Sequence, residues 1–186
     1  GDVAAVVREL DLESVILIGH SMGGAVIFKA AEQLPGRVLG LVAVDTFEDF
    51  SSWYTPEQNE SYVNPFREDY RAATRTFVEG MFVDGTDPSW IEQIVTDMQA
   101  SPPAVMIPSL ESALALMYGQ EVATLLPGLD VPVVVINSDL GPTKIDSMKR
   151  DGVEVHIIEG TGHFLILEDP QVFNSILKEV IESISD

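Results

Sequence analysis

The sequence predicts an α/β fold: a doubly wound, mostly parallel sheet with a helical insertion in its middle. Three observations carry that prediction. Short apolar runs alternate with amphipathic helical stretches at both ends of the chain. Between them, residues 48–127 have helical patterning and no strong period-2 strand. The first apolar run ends in a Gly-rich turn that leads directly into a helix.

The elements follow in order. Val3, Val6, Val7 and Leu10 share one face at helical spacing, which predicts a helix over 2–10. Residues 14–19 form an apolar run ending in Gly19, the pattern of a buried strand. An Ala-rich helix over 23–34 follows and is stopped by Pro35-Gly36. The run at 38–44 has too few polar breaks for a half-exposed edge and reads as a strand covered on both faces.

The middle carries three aromatic clusters: Trp53 with Tyr54, Phe66 with Tyr70, and Phe77 with Met81 and Phe82. Helices are expected over 57–63, 66–82, 88–98 and 109–125, with Pro102-Pro103 and Pro108 as interruptions. Strands over 131–137 and 153–158 flank a short helix at 142–150, and a last helix spans 172–184 with Pro170 in its first turn. The expected division is therefore a core segment 1–47, a helical lid or cap 48–127, and a second core segment 128–186.

At 186 residues, 46% of them hydrophobic and 22% charged, the chain can bury a core without disulfides or metals. Ten basic against thirty acidic side chains give a net charge of −20. No Lys or Arg occurs between Thr76 and Thr143, a stretch that still holds nine carboxylates. Such a field repels phosphate backbones and anionic bilayers, which argues against nucleic-acid and membrane-surface partners. There is no cysteine, so thiol catalysis and thiolate metal sites are excluded. No apolar run approaches the ~20 residues of a membrane span. A soluble protein is expected, cytoplasmic by default, with an extracellular location left open.

Gly19-His20-Ser21-Met22-Gly23 matches G-x-S-x-G in its required context, strand before and helix after. Such a sharp turn strains the serine backbone and needs tiny residues two before and two after it. Ser21 would stand above the carboxyl ends of the strands as a nucleophile, and the Met22 N–H would contribute to an oxyanion hole.

A serine alcohol needs a neighbouring base. His20 lies within the turn and is read as structural, and His156 sits inside a strand. His163 follows the final strand in Glu159-Gly-Thr-Gly-His163, above the sheet edge where Ser21 is expected, and is assigned as general base. The acid must accept the other imidazole N–H. Asp139 and Asp45 each follow a strand, and each could instead be a turn or capping carboxylate. Sequence separates them poorly, and the preference rests slightly on Asp139. The three histidines show no ligand-like spacing, so neither a metal nor another cofactor is expected.

These pieces resemble the alpha/beta-hydrolase superfamily, specifically its lid-bearing serine esterase-like branch. The residues that carry the resemblance are GHSMGG at 19–24, RVLGLVAVDT at 37–46, VPVVVINSD at 131–139 and EGTGHFLILEDP at 159–170, in the order serine, acid, histidine. The resemblance implies Ser21 as nucleophile, Met22 as oxyanion donor and His163 as base. It implies acyl transfer from a carboxylic ester to water through an acyl-enzyme. Related enzymes use the same triad for carbon–carbon bond hydrolysis, lactone opening or perhydrolysis. A non-catalytic binding or structural role is the reading from another class.

The pattern departs from the family in two places. Members have Gly-x-x-Asp after the strand at 131–137, which would put the acid near Gly141 rather than at Asp139. In a dehalogenase branch the acid follows the preceding strand, at the position of Asp45. That branch has an Asp nucleophile where this chain has Ser21, so halide displacement is not implied. Members also carry further strands before the nucleophile turn, including a loop that supplies a second oxyanion N–H. The sequence is therefore expected to be a carboxyl-terminal portion, with the preceding segment possible as a separate chain. The substrate is expected to be small, largely apolar and ester-like, neutral or cationic. The basic-free stretch predicts weak attraction of cations at the lid.

Overall fold

The structure, a computed structural model, describes residues 1–51, 54–118 and 120–185; Trp53, assigned to an aromatic cluster above, lies outside the described residues. Four strands make one parallel sheet in chain order: β1 Val15–His20, β2 Val38–Val44, β3 Val133–Ser138 and β4 Glu154–Ile158. The strand-to-strand connections are α2 (Met22–Glu32), a helical insertion, and α8 (Ile145–Arg150).

Alternation along β2 and β3 builds two cores. Leu41, Ala43, Val133 and Val135 pack with Phe28 of α2, Met148 of α8, and Ala4 and Val7 of α1 (Asp2–Glu9). Val42, Val44, Val134 and Ile136 point the other way. They meet Leu165 of α9 (Leu165–Glu168) and Phe173 and Val180 of α10 (Pro170–Ser185). Helices thus cover both faces, which is why these strands read as continuous apolar runs.

The insertion comprises α3 (Pro56–Glu68), α4 (Tyr70–Glu79), α5 (Pro88–Ala100), α6 (Pro103–Met117) and α7 (Gln120–Leu125). Its boundaries differ from the sequence expectation for a capping reason. Helix α3 runs through Pro65 and ends at Asp69, whose side chain accepts from the Ala72 N–H and starts α4. Pro56, Pro88 and Pro103 occupy first helical positions, where the missing N–H has no partner to lose. Pro108 was expected to break a helix but lies inside α6. An internal proline costs about 3 kcal/mol, which the burial of Ala113 and Leu114 and the packing of α6 on α3 and α2 offset. Phe50 and Val122, near the two ends of the insertion, pack into the same core as Phe28. Among the described residues no helix is long and apolar enough to cross a membrane.

Candidate active site

The carboxyl ends of all four strands lie at one edge of the sheet, and each delivers a residue to it. Ser21 follows β1 at the N-cap of α2 with φ 54 and ψ −127, in the left-handed half of backbone space that a side chain rarely adopts. Its N–H donates to Val44 O at 2.9 Å, and its carbonyl accepts from Thr46 Oγ1 at 2.8 Å. Glycine is needed around it for close approach. A Cβ at Gly19 would collide with the Gly23 carbonyl, and one at Gly24 with the Thr46 side chain. Gly19→Ala is therefore expected to destabilise the protein by about 3 kcal/mol, read as a fall in the urea midpoint; an unchanged midpoint would contradict the packing argument. The Met22 N–H opens α2 and has no hydrogen-bond acceptor among the described residues, as the first donors of a helix do not.

His163 follows β4 and is held on both sides. Its N–H donates to Met81 O at 2.7 Å, and its carbonyl accepts from His20 Nε2 at 2.7 Å. Its ring Nδ1 lies 2.6 Å from Asp45 Oδ2. Asp45, after β2, is itself fixed: its N–H donates to Ile136 O, and Oδ1 accepts from the Ser138 N–H at 2.7 Å. Burial alone would push the Asp45 carboxyl up, but the hydrogen bonds from His163 and Ser138 together outweigh it and hold it below the usual carboxylate range. An ionised carboxylate only accepts, so His163 Nδ1 is the donor and Nε2 is left as the basic nitrogen. Among the described residues no hydrogen bond joins Ser21 Oγ to His163, a bond of the kind that tightens in a Michaelis complex.

His163 is thus paired with Asp45 rather than with Asp139, the acid preferred from sequence. Asp139 Oδ1 instead accepts from the Gly160 and Thr161 N–H groups at 2.9 and 3.3 Å, tying the β3 loop to the loop that carries His163. The carboxylate of the next strand inward reaches the ring, and the expected partner serves the backbone. Glu168 adds a second brace, accepting from the Gly162 N–H at 2.7 Å and from Thr86 Oγ1 at 2.5 Å.

His20 was read as structural, and its geometry adds a pH consequence. His20 donates its Nε2–H to the His163 carbonyl, and burial, followed by His163, lowers the His20 pKa from 6.5 against the opposing influence of that hydrogen bond and of Asp45. The unfolded chain then takes up a proton at His20 before the folded chain does. Its contribution to stability is full above about pH 6.5 and is lost as pH falls through the lower folded value. His20→Gln is expected to flatten the fall in Tm between about pH 7.5 and pH 5.5; identical pH slopes in both proteins would count against this.

Ser21, His163 and Asp45 share one cavity of about 640 Å³, roofed by the insertion. Met22, Met81, Met98, Met106 and Met117, five of the chain's six methionines, line it. Tyr62, Tyr118, Phe77 and Phe164 add aromatic walls, and Glu48 and Asn137 add polar edges. Sequence reading placed Ser21 and His163 at this edge. It missed Thr46, Glu48, Glu168 and the tether made by His20, because a lone Thr or Glu after a strand carries no distinguishing pattern. Among the described residues no group of three or more His, Asp or Glu is placed to hold a metal ion.

Comparison with known proteins places the chain. The profile of the Alpha/beta hydrolase family matches residues 1–176. The chain belongs to that family. An esterase/lipase-named protein of Haemophilus influenzae is 50% identical to it over 44 residues, which are 24% of this chain and 15% of that protein. Among solved structures, the chain is similar to an esterase from Exiguobacterium antarcticum, with TM-score 0.79 and 18% identity, over 100% of this chain and 72% of that one. It is also similar to a bromoperoxidase from Bacillus anthracis, with TM-score 0.78 and 18% identity, over 97% and 72% of the two chains. At such identities the likeness is one of fold. In this alpha/beta hydrolase, Ser21, Asp45 and His163 lie together at the carboxyl ends of the strands.

Proposed function

We propose that this alpha/beta hydrolase is a serine esterase that transfers an acyl group from a carboxylic ester to water. The observation that carries the reading is the 2.6 Å contact between His163 Nδ1 and Asp45 Oδ2 in the same cavity as the strained Ser21. Ser21 Oγ attacks the ester carbonyl while His163 Nε2 takes its proton, and Asp45 fixes the tautomer and stabilises the imidazolium. The Met22 N–H, at the positive end of α2, donates to the oxyanion. His163 then protonates the leaving alcohol, and a water activated by the same ring hydrolyses the acyl-enzyme.

In this reading helices α3–α7 act as a lid, and the Met and aromatic lining accommodates a largely apolar acyl or alcohol group. Release of p-nitrophenol from p-nitrophenyl butyrate tests the reading. Turnover is expected, falling by about 10⁴-fold in His163→Ala; turnover that survives this substitution would overturn it. A lactone and a diketone assayed alongside rank the carbonyl classes by kcat/KM.

A further inference from the structure

Among the described residues the cavity holds six ionisable side chains, His20, Asp45, Glu48, Tyr62, Tyr118 and His163, and no Lys or Arg. The Asp45 carboxylate is hydrogen-bonded at both oxygens, by His163 and by Ser138. Glu48, three residues further on, is not. Its carboxylate has no hydrogen-bond partner among the described residues and lies against Gly141, where an added Cβ would stand 2.5 Å from Oε1. The nearby Lys144 has its Nζ 2.9 Å from Asp49 Oδ2. Partial burial and then the charge of Asp45 push the Glu48 carboxyl up, against the influence of Lys144, as happens when a carboxylate lacks a full counter-charge.

The surroundings of Glu48 are suited to one kind of ligand. Tyr118 stacks on Tyr54 with ring centres 4.0 Å apart, and Tyr62 packs edge-on against Phe77. Both cavity tyrosines are neutral phenols, and burial pushes each further up, Tyr62 to about 12, with Tyr54 and then Glu48 adding to the rise at Tyr118. Neutral aromatic faces and thioethers attract a cation, and none of them supplies one. Glu48 is an exposed residue of the cavity lining, and an anionic ester would meet its charge there. A neutral one would gain nothing from that charge.

We propose that Glu48, with the rings of Tyr62 and Tyr118, forms an alkylammonium subsite, so that the preferred substrates are esters carrying one positive charge. For turnover the proposal rests on the serine-esterase reading; for binding it does not.

Two measurements keep these apart. The first compares kcat/KM for butyrylcholine and its neutral isostere 3,3-dimethylbutyl butyrate. The second is calorimetric binding of n-butyltrimethylammonium, which involves no chemistry. The choline ester is expected to lead by about tenfold at low salt. That ratio is expected to fall by about tenfold in Glu48→Gln and in Gly141→Ala, which displaces the carboxylate, and to invert in Glu48→Lys. Ammonium binding is expected to weaken in parallel. Both esters turned over with the same ratio in wild type and Glu48→Gln would overturn the subsite and leave the esterase reading standing. Glu48-dependent ammonium binding without turnover of either ester would uphold the subsite and overturn the esterase reading. Neither binding nor turnover would overturn both.

Discussion

Ser21→Ala is expected to lower kcat for an ester by about 10⁴-fold or more while leaving the fold intact. The two halves of that expectation have separate causes. The Ser21 hydroxyl makes no hydrogen bond among the described residues, so the fold loses nothing specific with it. What holds the turn is backbone: the N–H on Val44 O, the carbonyl under Thr46 Oγ1, and the glycines at 19 and 24. Alanine keeps all of these, and the stability change should lie within about 0.5 kcal/mol. Chemistry loses its nucleophile outright. A steady-state assay alongside a melting curve checks both halves; a large loss of Tm, or turnover near wild type, would contradict the assignment of Ser21 as a mechanically supported nucleophile.

The second large effect separates the two acids. Asp45→Asn is expected to cost about 10⁴-fold in kcat, because an amide in place of the carboxylate no longer enforces Nδ1–H on His163 or stabilises the imidazolium. Asp139→Asn keeps an acceptor oxygen for the Gly160 and Thr161 N–H groups and should cost no more than about tenfold. The comparison is informative because both residues end strands at the same sheet edge. If Asp139→Asn were the more damaging of the two, the ring would be taking its acid from the β3 loop in the working enzyme.

Most of the fold was legible because its signals are local. Apolar runs at 14–19, 38–44, 131–137 and 153–158 correspond to β1–β4, and Pro170 starts α10 as its fixed φ predicts. The insertion was less legible. Pro108 was weighed by its intrinsic cost, and tertiary packing overrode that cost. The turn at Ser21 was legible because a sharp strand-to-helix turn imposes steric demands on its neighbours, which Gly19 and Gly24 meet.

The acid has no such mark. Which of two carboxylates reaches a ring depends on loop paths fixed by contacts as distant as His163 N–H on Met81 O and Gly162 N–H on Glu168. Sequence could name Asp45 and Asp139, and only the folded loops could choose the partner. Glu48 was invisible for a related reason, since its lack of a partner is a property of the cavity and not of its neighbours in the chain.

The most direct measurement of the central claim is peptide mapping by mass spectrometry after exposure of the folded protein to a fluorophosphonate. Such a reagent modifies a serine that a neighbouring base has activated. The account predicts one stoichiometric adduct on Ser21, formed slowly or not at all in Asp45→Asn and His163→Ala and at near-normal rate in Asp139→Asn. An unmodified Ser21 in folded protein, or labelling indifferent to Asp45 and His163, would contradict it.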